Sequence, residues 1–171
     1  ETNDALQLLG TYKTLSFSAS YNYIRNTATT ALARHETKDD VVLKRVISIP
    51  SYSTLSLGLD WSDSFGPYSP SIEVGFQKQF LKYSGLTFDR PMLELSTNHY
   101  VELGKGWSVN ADASYSSRSH SLFSEYSAKW SYSLMLSKEV GNFTFDLSLQ
   151  NLFLDNKHYR TRRMAGIFAQ E

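Results

Sequence analysis

The sequence predicts an all-β protein, an antiparallel up-and-down β-barrel of about seven or eight strands that is either a transmembrane barrel or part of a larger one. Three observations predict it: long runs of alternating apolar and polar residues, connections of alternating length, and aromatic residues at strand ends. The clearest alternation lies in residues 107–153, where three successive runs place an apolar residue at every second position. Successive side chains of a strand point to opposite faces, so these runs indicate long strands with one apolar and one polar face.

Composition excludes several classes of protein. The 171 residues include 17 basic and 17 acidic ones, and a net charge of +0 gives no reason to expect a nucleic-acid partner. The absence of Cys excludes disulfides and thiolate metal sites. No apolar run reaches the roughly 18 residues that a membrane-spanning helix needs, whereas a spanning strand needs only about 9–11 alternating residues.

The first half of the chain gives three strands after an irregular lead-in at residues 1–10. Residues 15–25 alternate strictly, and the Thr- and Ala-rich residues 27–32 are a candidate extension of this strand. The polar stretch 36–40 is the expected reversal. The return strand is expected to be interrupted or bent at Pro50, because proline lacks the donor for the ladder hydrogen bond. Alternation resumes at residues 54–62, and the next run is residues 72–80.

The second half continues the pattern, with a loop at residues 83–90 and a weaker strand at 91–103. Gly104, Lys105 and Gly106 predict a tight hairpin that leads into the strand beginning at Trp107. Residues 122–136 are interpreted as one strand and residues 143–153 as the next. Residues 155–171 are predicted to be a basic loop with a possible last strand. The whole of 1–171 is treated as a single barrel segment.

The predicted connections alternate in length. Those around Glu36, Gly85 and Arg118 are long or polar, and those around Gly66, Gly104 and Gly141 are shorter and rich in glycine. Consecutive antiparallel strands place alternate connections at opposite ends of a sheet, so one end has turns and the other has loops. Membrane barrels show this asymmetry, and soluble Greek-key sandwiches have less reason to keep it.

Several aromatic residues lie at the ends of apolar stripes, where membrane barrels have girdles at the level of the lipid headgroups. The candidates for this interface are Trp61, Trp107, Tyr115, Trp130 and Tyr132. The alternative is that the same rings fill a soluble core. The opposite faces are mostly Ser, Asn, Asp and Gln, which suit a hydrated lumen as well as a solvent-exposed face.

One basic cluster, Arg160, Arg162 and Arg163, is a candidate for contact with an anionic lipid headgroup or ligand, and otherwise it is a solvated loop rim. Asp112, His99 and one of the many serines make a hydrolase triad on paper only, so no catalytic residue and no enzyme activity is expected. The histidines lack the spacing of a metal site, and neither a metal nor a cofactor is expected: His35, His99, His120 and His158.

Residues 88–163 resemble the late barrel strands of TonB-dependent outer-membrane receptors. The resemblance lies in the order of LGKGWSV at 103–109, KWSYSLMLSK at 129–138 and FTFDLSLQNLF at 143–153, and its most specific detail is Asn151, Leu152 and Phe153 followed by YRTRR at 159–163. The resemblance implies a barrel of about 22 strands around a plug, which takes up scarce ligands across the bacterial outer membrane.

The implied partners are the lipid bilayer, the rest of the barrel, the plug domain, a periplasmic energising protein and a surface lipoprotein. This chain departs from the pattern, because it shows no plug, no segment for the energising partner and no aromatic residue closing a last strand. We therefore expect a piece of a larger barrel.

Two other hypotheses stay open. A soluble all-β binding module, for instance for carbohydrate, would turn the apolar stripes inward. A small outer-membrane barrel enzyme would gather polar groups at one rim.

Overall fold

The computed structural model describes residues 2–34, 42–152, 154, 159–164 and 167–170, which are organised as antiparallel β-strands joined by turns and loops. The described residues include no membrane-spanning helical segment. The strands are β1 (Thr2–Tyr12), β2 (Leu15–Arg34), β3 (Val42–Ser62), β4 (Tyr68–Tyr83), β5 (Leu86–Phe88), β6 (Met92–Gly104), β7 (Trp107–Ser116), β8 (Ser119–Ser121), β9 (Ser124–Tyr126), β10 (Lys129–Val140), β11 (Phe143–Gln150), β12 (Arg160–Met164) and β13 (Ile167–Gln170).

Eight long strands form one antiparallel meander in the order β1-β2-β3-β4-β6-β7-β10-β11, and the short strand β5 pairs with β4. The predicted all-β, up-and-down arrangement is confirmed. Strands β1 and β11 are the edges of this sheet, and neither has a second partner among the described strands.

One predicted boundary was wrong. The lead-in at 1–10 was predicted to be irregular, but residues 2–12 pair along their whole length with β2. These residues form a strand because of that pairing, which their own sequence pattern does not indicate. β2 runs to residue 34, so residues 27–32 do extend the strand that begins at residue 15. β3 runs through Pro50 as one strand, while its ladder to β2 has no pair at Pro50, so the expected interruption is found in the hydrogen bonding. The reversal predicted at 36–40 lies outside the described residues.

The connections separate by length between the two ends of the meander, as predicted. Residues 13–14, 63–67, 105–106 and 141–142 join strands at what we call the short-turn end. The ends of β2, β4, β7 and β11 lie at the opposite end, the loop end, whose described connections include β5, β8, β9, β12 and β13. The short additional strands therefore lie at one end of the sheet only.

The register of the ladders determines the tilt of the strands. The row of partners that starts at the first short turn, Tyr12 with Leu15, passes through Trp61, Ile72, Thr97 and Ala113 to Tyr132. Tyr132 is on β10, six strand spacings from β1. It lies eight residues from Val140, which is next to the last short turn. With about 3.3 Å per residue and about 4.8 Å between strands, level turns require a tilt of roughly 40°. Closed barrels have strands tilted by about 35–45°.

The β2–β3 hairpin changes character where Asn26 and Pro50 lie opposite each other. Asn26 has φ 54° and Pro50 has no donor, and the ladder records no pair between Arg25–Ser51 and Thr27–Ile49. Towards the short turns the large odd-numbered residues of β2, such as Phe17, Tyr21 and Tyr23, are exposed, whereas towards the loop end Thr27, Ala31 and the opposing Ile49 are buried. Asn26, with its left-handed backbone conformation, therefore lies where the side of β2 that is exposed towards the short turns becomes a packed side towards the loop end.

That interior is a small hydrophobic core at the loop end, which we call the loop-end core: Ala31, Ile49, Leu81, Phe88 and Phe123. The ring of Phe123 meets those of Phe88 and Tyr83 edge-on, with centroids 5.2 and 5.3 Å apart. A second sheet, ordered β13-β12-β9-β8, adjoins it. The loop end is therefore a folded cap.

The prediction of one strand over residues 122–136 was also wrong. Residues 122–123 form the turn of the β8–β9 hairpin, where Leu122 has φ 50°, and β10 begins only at Lys129. The turn is held by the side chain of Gln79. Its Nε2 donates to the carbonyls of Phe88 (2.7 Å) and Leu122 (2.8 Å), and its Oε1 accepts from the N–H of Leu122 (2.8 Å).

We expect Gln79→Ala to weaken the attachment of the β8–β9 hairpin by about 1–3 kcal/mol, because it leaves buried backbone groups without partners. The measurement is amide hydrogen exchange at Leu122 and in β9. Gln77→Ala is the matched control, since Gln77 is exposed two residues earlier on the same strand. Equal exchange in the two variants would contradict this role.

Candidate membrane-facing surface and inner face

One face of the meander, here called the outer face, is apolar and exposed. Direct cross-strand partners such as Phe17, Leu59 and Val74 place the apolar residues of adjacent strands on this one side. The exposure of four large apolar residues on this face shows whether it is a buried core: Trp130 is 52% exposed, Leu134 42%, Phe145 62% and Leu147 59%. The apolar stripe is therefore not the interior of a water-excluding core.

Cations stand over aromatic rings at both ends of the outer face. At the short-turn end Lys13 lies over Tyr12 (5.4 Å from Nζ to the ring centroid) and Lys138 over Trp107 (5.1 Å). At the loop end Arg25 lies over Tyr23 with 5.8 Å between Cζ and the centroid. Amphipathic rings and long cationic side chains favour the boundary between hydrocarbon and water, where apolar stems stay dry and charges reach water.

The five candidate interface aromatics fall at two levels. Trp61 and Trp107 lie beside short turns. Tyr115 and Trp130 are direct cross-strand partners near the loop end, with ring centroids 4.5 Å apart, and Tyr132 follows two residues later on β10. Their placement is what two girdles require, and their contact with lipid headgroups stays a prediction.

The opposite face, the inner face, is polar and hydrogen-bonded across strands. Asp112 accepts from Asn98 (2.6 Å), Asn110 (3.0 Å) and Ser133 (2.9 Å), and Ser114 and Ser131 share a 2.6 Å bond. These bonds join β6, β7 and β10. A groove of about 580 Å³ follows the same face from β3 to β11.

The inner face is also acidic. Between the short turns and the level of Asn26 and Pro50, the described inner face carries one cation, Lys129, and seven carboxylates: Asp60, Glu73, Glu94, Glu102, Asp112, Glu139 and Asp146. A water-filled space beside this wall would attract cations and repel anions.

The structure does not bring Asp112 and His99 together as a hydrolase triad would require. Asp112 lies on the inner face, whereas His99 pairs with Ala111 on the outer face, where its Nδ1 lies 2.7 Å from the hydroxyl of Tyr68. In the described part of the chain no three His, Cys, Asp or Glu residues come close enough to hold a metal ion. His35 and His158 lie outside it.

Of the predicted anion-contacting arginines, Arg160 opens β12 opposite Tyr126. The backbone of Arg162 and Arg163 continues that strand, and their side chains lie outside the described part of the structure. The structure therefore locates one of the three guanidinium groups.

Sequence reasoning missed the cation–aromatic pairs at the rims. One usable signal was the spacing of two residues on a strand, which puts Tyr23 with Arg25 and Lys78 with Phe80 on the same face. The pairing of Lys138 with Trp107 joins β10 to β7, so it needed the register.

Comparison with known proteins supports this geometry. The model of one family, described as "Outer membrane protein beta-barrel family", matches residues 1–171. No curated protein and no solved structure matches the chain. Its environment is thus the lipid bilayer and its location the bacterial outer membrane. With an exposed apolar face, a polar inner face and a match over its full length, the chain belongs to the outer membrane protein beta-barrel family.

Proposed function

We propose that this chain is part of the wall of a TonB-dependent receptor, which takes up a ligand across the outer membrane. The observation that favours a large receptor barrel is the pair of free edges. Leu6, Leu8 and Leu9 of β1 are exposed, as is every residue of β11, and both strands have an unused row of backbone hydrogen-bonding groups. Such edges call for further strands.

In this proposal the outer face meets lipid and the inner face lines a hydrated interior. The remaining barrel strands would pair with β1 and β11, and a plug domain would occupy the space beside the acidic wall. The periplasmic energising protein would act at the short-turn end through the plug, and a surface lipoprotein would meet the folded cap at the loop end. No catalytic role is proposed.

The assignment of the two faces is tested by cysteine labelling, because the chain contains no native Cys. We expect single cysteines at Met135 and Ser137 to react with a water-soluble maleimide in the membrane-inserted protein. Cysteines at Leu134 and Leu136 should resist it, and a fluorophore attached there should be quenched by lipid-borne nitroxides. Equal reactivity at all four positions would refute a lipid-facing outer surface.

The uptake role needs a separate measurement. Cells with and without the receptor that contains this chain would be grown in a defined medium, and depletion of solutes followed by mass spectrometry. A solute depleted only by receptor-containing cells, and only while the membrane is energised, would support active uptake. Depletion that persists after an uncoupler is added would point to a passive pore.

A further inference from the structure

A cleft at the loop end has the size and chemistry of a small-ligand site. It lies between the upper part of β2 and the β8–β9 hairpin, with a volume of about 410 Å³. Ligand pockets typically measure about 300–1,000 Å³. Its charged lining residues are Lys44 and Arg160, and no carboxylate lines it. The cleft is thus locally cationic in a chain of net charge +0.

Arg160 is held in position before any ligand arrives. Its guanidinium stands over the ring of Tyr126, with Cζ 5.7 Å from the centroid, and its Nε lies 3.4 Å from the hydroxyl oxygen of Ser124. Ser124 is buried, and the adjacent Phe123 belongs to the loop-end core. A planar guanidinium fixed in this way keeps other N–H groups available for an oxyanion.

Glu125, which lies between the cleft residues Ser124 and Tyr126 in β9, is paired with another cation. Glu125 forms an ion pair with Arg90 (2.5 Å between Oε1 and NH1), and among the described residues neither Lys44 nor Arg160 has a carboxylate partner. Hydroxyl groups of Thr29, Ser121 and Ser124 also line the cleft. Two cations with several hydroxyls form the donor set that binds phosphate or carboxylate groups.

We propose that this cleft binds the oxyanion of a phosphate- or carboxylate-bearing ligand, with Arg160 as the main contact and Lys44 as the second. The acidic inner face would oppose passage of the same anion along the wall. The cleft therefore serves recognition at the loop end, and this role does not depend on the uptake role proposed above.

The test is titration of the full chain in neutral detergent with inorganic phosphate and, separately, with citrate, followed by calorimetry. Arg160→Gln and Lys44→Gln should each weaken binding by about tenfold or more, because each removes a charge-assisted contact. Arg160→Lys should recover only part of the affinity, since it keeps the charge and loses the fork. Arg118→Gln removes the same charge from an exposed site at the same end and should change affinity less than twofold.

A lipid source is distinguished with nanodiscs. Preferential binding of phosphatidylglycerol over phosphatidylcholine that is lost in Arg160→Gln, without binding of free phosphate or citrate, would assign the oxyanion to a lipid headgroup. The proposal is overturned if none of these probes binds, or if Arg118→Gln weakens binding as much as Arg160→Gln. Lys44 lies on a different strand, so Lys44→Gln tests the cleft even where Arg160→Gln fails to fold.

Discussion

Leu134→Arg is expected to destabilise the membrane-inserted protein by about 2–4 kcal/mol, the cost of a basic residue facing the middle of the bilayer in a β-barrel. Leu134 lies on β10 halfway between Trp130 and Lys138, which mark the two ends of the apolar stripe. The measurement is the free energy of folding into phosphatidylcholine vesicles, followed by urea titration of tryptophan fluorescence.

The adjacent Met135 provides a matched control. Its exposure of 37% is close to the 42% of Leu134, but it lies on the inner face. Met135→Arg should cost little, because its charge reaches water and lies near the carboxylates of the inner face. Similar costs for the two substitutions would show that both faces meet the same medium, which would contradict the lipid-facing assignment.

Phe123→Ala is expected to lower the local stability of the loop end by about 3–5 kcal/mol, as other removals of a buried phenyl ring do. Phe123 is buried and its ring contacts those of Phe88 and Tyr83. Hydrogen exchange should show faster opening of β5, β8 and β9, whereas β10 and β11 keep their protection because they share no core with the cap.

Phe65→Ala is the comparison, since Phe65 is exposed at the short-turn end. It should leave the exchange of β8 and β9 unchanged. If Phe123→Ala accelerated exchange in β11 as much as in β9, the cap would not be a separate unit and the prediction would be wrong.

Period-two alternation was sufficient to predict seven of the eight long strands. In a strand with one apolar and one polar face, the two residue types alternate along the sequence. β1 was missed because Leu8 and Leu9 break the alternation, and as an edge strand it has neighbours on only one side. Its position is determined by pairing with β2, which is not a local property of the sequence.

The cap could not be predicted for a different reason. Its core joins Ala31, Ile49 and Leu81 to two phenyl rings from later connections, and no local period relates residues so far apart. The alternation also continues by coincidence from Tyr126 into β10, which concealed the β8–β9 hairpin. The oxyanion cleft was anticipated only in Arg160, because Lys44 comes from a distant strand.

The oblique register decides which side chains share a depth in the membrane. Because the strands are tilted, a residue and its ladder partner lie at different depths. The residue at the same depth on the next strand lies about one to one and a half positions closer to the short turns than the ladder partner does. Starting from Asp60, the horizontal ring thus runs through Asn98 and Asn110, which are bonded to each other at 2.8 Å, and on to Asp146. A group that lies against the inner face at this depth would therefore meet these side chains together, with a carboxylate at either side.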